Sequence, residues 1–240
     1  MGKVDYNLCD CFFDSQFDKV ELLKRYPWIG RDFSKTDCRI LILGDSHYAT
    51  DSNGEFSPDE YVIFCHDKES TRDVVNCVIK NVCRGESTWK MFKNLLETFN
   101  SFTSDGVMSF WPKVAFYNFI QEPMKEKNQV PTTRERIEGW KCFCDVVDII
   151  KPSFCLFIGM RSKYKIDTIK KIGGLYSILS EQDSCNGVNP IFGCVKTPKG
   201  TETKIRIIRH TSRYYSPNVW YQYLYDKEKK IVLQLDAHLG

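Results

Sequence analysis

No stretch of the chain comes near the roughly 20 consecutive apolar residues needed to cross a bilayer, which sets aside a membrane-spanning class. The amino terminus, Met1-Gly2-Lys3-Val4-Asp5, lacks an apolar signal region, and Tyr6 stands where a myristoylation signal needs Ser or Thr. Internal repeats and low-complexity tracts are also missing. Charge of one sign is scarce: 34 Lys+Arg stand against 31 Asp+Glu, so composition alone announces no nucleic-acid partner, although a local basic face would suffice for one. Eleven cysteines are present, yet the only close pairs, Cys9-x-Cys11 and Cys142-x-Cys144, lack the two-residue gap of zinc knuckles and iron–sulfur sites. The expectation is a cytoplasmic protein with reduced, mostly buried thiols, no metal and no cofactor.

What is present suits a single domain over residues 1–240: the chain is 42% hydrophobic and 14% aromatic, enough for one sizeable core. Short β-rich runs alternate with segments of helical periodicity. Strands are expected at Arg39 to Gly44, Lys113 to Ile120, Phe154 to Gly159 and Lys204 to Arg209, the last in a hairpin with Ile191 to Thr197. Helices are expected at Asp14 to Tyr26, Thr71 to Val82, Ser87 to Phe99, Thr132 to Ile150 and Lys163 to Ile172, with a final helix starting at Ser216-Pro217. Crossovers of this length keep successive strands parallel. The pattern argues for an α/β fold, a three-layer α/β/α sandwich around a mainly parallel four-stranded sheet.

In such a sheet ligands bind beyond the carboxyl ends of the strands. Four runs end in polar residues there: Leu41-Ile42-Leu43-Gly44-Asp45-Ser46-His47-Tyr48, Val114-Ala115-Phe116-Tyr117-Asn118, Cys155-Leu156-Phe157-Ile158-Gly159 and Ile205-Arg206-Ile207-Ile208-Arg209-His210-Thr211-Ser212. Asp45, Asn118 and His210 are therefore expected in one cleft. A carboxylate, an amide with one acceptor and two donors, and an imidazole can together hold a heterocycle and stabilise charge separating across a bond to it.

This order of motifs, from about Arg39 to Tyr215, resembles the uracil-DNA glycosylase superfamily. The resemblance implies a cofactor-free, monomeric enzyme that flips a base from duplex or single-stranded DNA and hydrolyses its N-glycosidic bond, leaving an abasic site. It implies that Asp45 positions water or stabilises the sugar cation and that His210 faces the departing base oxygen. It further implies that Asn118 reads the base, Phe56 stacks on it and Tyr48 shades the pyrimidine C5 edge. Ser46 and His47 replace the family's usual dipeptide in the base-binding motif, and Thr211 replaces the Pro that follows His. Ser212, Arg213, Tyr214 and Tyr215 are placed to wedge into DNA or clamp phosphates. Uracil and a modified cytosine, including a hypermodified cytosine of phage DNA, are both readable by an amide that can rotate half a turn.

Two other readings stand beside this one. Gly44-Asp45-Ser46 also resembles the opening of the esterases in which Ser is the nucleophile, with Ser46 acylated and His210 or His238 as base. That group's Asp-x-x-His end is absent, since Asp236-Ala237-His238 is one residue too close. The third is a DNA-binding relative of the glycosylases that lacks the chemistry.

Overall fold

The computed structural model describes residues 7–49, 55–126, 129–159, 168–169 and 171–239. The fold is α/β, built on one seven-stranded mixed sheet. The strands are β1 (Trp28–Ile29), β2 (Ile40–Tyr48), β3 (Val114–Met124), β4 (Phe154–Ile158), β5 (Tyr176–Glu181), β6 (Ile191–Lys196) and β7 (Glu202–Ile208). They lie in the order β1-β3-β2-β4-β7-β6-β5. The four strands expected from sequence form the parallel centre, β3-β2-β4-β7. The expected four-stranded sheet is thus too small: β1 adds antiparallel to one side, and the β5–β6 hairpin extends the other.

The helices are α1 (Asp14–Phe17), α2 (Pro58–His66), α3 (Ser70–Cys83), α4 (Lys90–Thr98), α5 (Ser104–Phe110), α6 (Thr133–Ile150), α7 (Pro217–Lys227) and α8 (Lys229–Leu235). Local chemistry explains their limits. Thr132 and Glu135 form a reciprocal capping box at the start of α6, and Lys151 closes that helix in the left-handed region at φ 47°, just ahead of Pro152. Ser57 caps α2 through the Glu60 N–H, and Pro217 occupies the first turn of α7, where its missing N–H is no loss.

The leading helix is much shorter than its periodicity suggests, ending at Phe17. Beyond it the chain turns so that Arg25 is buried and donates to the carbonyls of Phe64 and Gln121, which a continuous amphipathic helix ending at Tyr26 would not permit. The helix expected over Lys163 to Ile172 lies mostly outside the described residues.

Alternate residues of the central strands feed two cores. Ile40 and Ile42 face Val75, Val78, Leu95, Phe110 and Trp220. Leu41 and Leu43 face Trp140, Phe143, Val147 and Phe157. Because both faces are covered, these strands read as unbroken apolar runs, and their polar residues cluster where the cover ends. Among the described residues, no helix is long and apolar enough to cross a membrane.

Candidate functional site

Register alone brings the polar strand ends together. In the β2–β3 pair Gly44 is level with Asn118, in β2–β4 Leu43 is level with Phe157, and in β4–β7 Ile158 is level with Ile208. Asp45, Asn118, Gly159 and His210 therefore emerge along one edge of the parallel centre.

Two glycines make the close approaches possible. A Cβ on Gly44 would lie 2.0 Å from the Asn118 Oδ1 and 3.3 Å from the Phe116 ring, so the Asn118 carboxamide rests directly over the Gly44 backbone. A Cβ on Gly159 would lie 2.5 Å from His210 Cδ2 and 3.2 Å from the Asp45 Cβ, and Gly159 adopts φ +114°, which side chains rarely tolerate. His210 and Asp45 thus flank one backbone position, with Asn118 over the residue next to Asp45.

Asn118 is 5% exposed, and its Oδ1 has no hydrogen-bond partner. Leaving a buried amide acceptor unmet costs about 1–3 kcal/mol, and such groups in native proteins call for an explanation. A ligand N–H is one.

The His210 ring is oriented by its own loop. The Ser212 backbone N–H donates to His210 Nδ1 at 3.1 Å, and the Ser212 hydroxyl lies 2.7 Å from the same atom. A backbone N–H can only donate, so Nδ1 carries the lone pair and a neutral ring holds its proton on Nε2, beside Cδ2 and the Gly159 position. That loop is fastened to α4. The Asn94 side-chain amide donates to the Thr211 carbonyl, the Thr211 hydroxyl donates to the Met91 carbonyl at 2.9 Å, and the Thr98 and Tyr215 hydroxyls pair at 2.9 Å. Thr211 is fully buried. Asn94 is a candidate-site residue that sequence reasoning missed; the only signal was an amide between the apolar Phe92 and Leu95-Leu96.

The chain matches no protein-family model and no curated protein sequence. Function is then a matter of the site's own chemistry.

Several residues expected at the base sit elsewhere. His47 is 5% exposed, stacks on Phe64 at 4.7 Å and places Nε2 3.2 Å from the Thr71 hydroxyl; burial, reinforced by Arg25, holds its pKa well below the usual imidazole range. It is an interior residue turned away from the edge. Phe56 is half-exposed, but its ring meets Tyr61 edge-on at 5.9 Å and Lys125 at 5.8 Å. Lys125 follows the end of β3, seven residues beyond Asn118, so the Phe56 ring is engaged at the far end of that strand.

Tyr48 packs against the α6-side core, whereas Asn118 lies beside Phe116 of the other. Strand alternation breaks between Ser46 and Tyr48, which moves Tyr48 across the sheet. Burial pushes the Tyr48 phenol up, offset by a hydrogen bond with Ser46; Asp45 and Arg213 are both close enough to bear on it. Tyr215 stacks on Trp220 and belongs to the core more than to any DNA contact. Tyr214 is the opposite case: 85% exposed, at φ 48°, with its carbonyl held by Arg209 Nη1 at 2.7 Å. A bulky non-glycine residue at positive φ is strained, and such strain collects at functional sites.

All eleven cysteines are free. Burial pushes the Cys9 and Cys144 thiols up to about 12, so neither is a nucleophile near neutrality. Among the described residues no group of three His, Cys, Asp or Glu is placed to hold a metal ion.

Proposed function

We propose that the protein is a DNA glycosylase of the uracil-DNA glycosylase type, built as a three-layer α/β/α sandwich, that hydrolyses the N-glycosidic bond of a flipped pyrimidine. The observations that carry this reading are the buried, unmet Asn118 Oδ1 over the Gly44 backbone and the Asp45–Gly159–His210 juxtaposition at the neighbouring strand ends. Asn118 supplies an acceptor, and its NH2 a donor, to the pairing edge of a base that has left the stack. As the bond stretches, negative charge grows on the base and positive charge on the sugar. A neutral His210 donating from Nε2 stabilises the first, and the Asp45 carboxylate stabilises the second or orients water toward it. The exposed, strained Tyr214 fits the role of a wedge filling the vacated stack, with Arg213 and Ser212 beside it at the phosphates.

Within this reading, Phe56, His47 and Tyr215 drop out of the base and DNA contacts. With Tyr48 across the sheet from Asn118, the C5 edge is left unshaded by that ring, which favours a C5-modified pyrimidine over plain uracil.

The esterase alternative has less support. The Ser46 hydroxyl is engaged by Tyr48, whereas the esterase reading pairs it with an imidazole. His238 follows Ala237, whose N–H donates to the Phe99 carbonyl at the carboxyl end of α4, while Thr211, next to His210, is held by Met91 and Asn94 closer to that helix's amino end.

The test is incubation with single-stranded and duplex DNA carrying uracil, hydroxymethylcytosine or glucosylated hydroxymethylcytosine, scoring alkali-labile breaks and released base by mass spectrometry. Release that disappears in Asn118→Ala supports the reading. Binding without release favours the DNA-binding relative, and labelling of Ser46 by a fluorophosphonate without release favours the esterase.

A further inference from the structure

Four of the five tryptophans, Trp28, Trp111, Trp140 and Trp220, are completely buried, but Trp89 is 52% exposed. It stands at the amino end of α4 with its ring against Phe92, centroids 6.2 Å apart and planes at 61°, so the indole is held in place while about half of the residue stays open to solvent. Two residues further on, the Met91 carbonyl accepts the Thr211 hydroxyl, and three residues beyond Thr211 comes the protruding Tyr214. The two exposed aromatics are thus mounted on one hydrogen-bonded junction. Lys90 adjoins Trp89 in sequence and Arg213 adjoins Tyr214, with Glu86 the nearest acid along the chain, and Arg209 donates to the Tyr214 carbonyl at 2.7 Å and lies 5.9 Å from its ring, leaving a cation beside that aromatic.

We infer that Trp89 is a stacking platform for an unpaired nucleotide of single-stranded DNA passing across the site edge, with Tyr214 as the second platform of the same track. The choice of DNA rests on the function proposed above; the platform itself rests on exposure, anchoring and charge. An indole face adds to a base only where that base lacks a stacked neighbour, and interior bases of a duplex lack none, so the surface fits single strands. Stacking of this kind tolerates any sequence, because every base has a π-face, and adjacent cations hold the backbone.

Because the other four indoles are buried, quenching of tryptophan emission by added nucleic acid reports on Trp89. The full chain is titrated with unmodified oligothymidylate of about 12 nucleotides, with the matching duplex and with oligouridylate. Oligothymidylate is expected to quench the emission and bind more tightly than the duplex. Trp89→Ala should bind it roughly 5- to 150-fold more weakly, the range for losing one stacked base, while Trp89→Phe retains most of the affinity. Unchanged emission, equal affinity of Trp89→Ala and the parent, or tighter binding of the duplex overturns the platform. Tighter binding of oligouridylate overturns its assignment to DNA. Since the oligonucleotides are unmodified and binding is read directly, a failure of base release leaves this result standing, and a failure here leaves base release untouched.

Discussion

Gly159→Ala separates a site built on contact from one built on coincidence. A methyl group there would stand 2.5 Å from His210 Cδ2, where ordinary carbon contact begins near 3.5 Å, so the ring must retreat by about 1 Å. A misplacement of that size costs on the order of 100-fold in rate. The φ of +114° adds strain of about 1–3 kcal/mol, and each kcal/mol lowers Tm by roughly 2–4 °C in a chain of this size. Gly85→Ala is the matched control, because Gly85 also has positive φ, +68°, but its Cβ would meet nothing within 4 Å. Both variants should therefore lose Tm, and only Gly159→Ala should lose base release. A second readout needs no substrate: 15N-detected NMR of the four histidines should show His210 with Nδ1 unprotonated in the parent and in Gly85→Ala, and a shifted ring in Gly159→Ala. If Gly159→Ala keeps both the His210 ring signals and a release rate within about threefold of Gly85→Ala, the packing of Gly159 against His210 is not what positions the imidazole.

Asn118→Ala should abolish base release while Tm falls by no more than about 4 °C, since its unmet Oδ1 has no protein bond to lose; a larger drop would make Asn118 a structural residue. Asn94→Ala removes the amide that holds the Thr211 carbonyl and should cost about 1–3 kcal/mol, with faster tryptic cleavage at Arg213; an unchanged cleavage rate would mean that the loop does not depend on α4. His47 gives a pH dependence whose sign follows from its depressed pKa. Above the ordinary imidazole value of about 6.5 it is neutral in both folded and unfolded chains and contributes no slope. Below it the unfolded chain takes up a proton that the folded one refuses, so stability falls by about 1.4 kcal/mol per pH unit until the folded pKa is reached. Denaturant titrations from pH 6.5 downward should show this slope reduced in His47→Gln, and an identical slope in both proteins would rule His47 out as its source.

The parallel centre was legible because its strands are buried on both faces and so appear as uninterrupted apolar runs bounded by Gly and polar residues. Of the outer strands β6 was legible as the hairpin partner of β7, and β1 and β5 carry no such mark. β1 is two residues long and exists through its pairing with Phe116 and Ala115, and β5 alternates Tyr176, Ser177, Ile178 and Leu179 with Tyr176 and Ile178 largely exposed, so neither period nor burial singles it out. At the site, Asp45, Asn118 and His210 were readable because position at a strand's carboxyl end is a property of the sequence. The direction of a side chain after that end is not. A change of register between Ser46 and Tyr48 sends His47 into the interior and Tyr48 across the sheet, although a loop of the same composition could have presented both to a ligand.

Thr211 makes the same point from the other side. The sequence resemblance expects a Pro that would stiffen the loop after His210, and this chain has Thr211 there. In the fold, its hydroxyl and its carbonyl each take a hydrogen bond with α4, and the loop is fixed by two partners about 120 residues away along the chain. Proline restricts one backbone angle and offers no hydroxyl, so the two solutions immobilise the loop by different physics. The consequence is a dependence on α4 that proline would not create: the orientation of His210 is tied to Asn94 and Met91, and through the same helix to Trp89. A substitution that tilts α4 is therefore expected to disturb the imidazole and the exposed indole together, whereas one confined to the Ser212–His210 contact disturbs the imidazole alone.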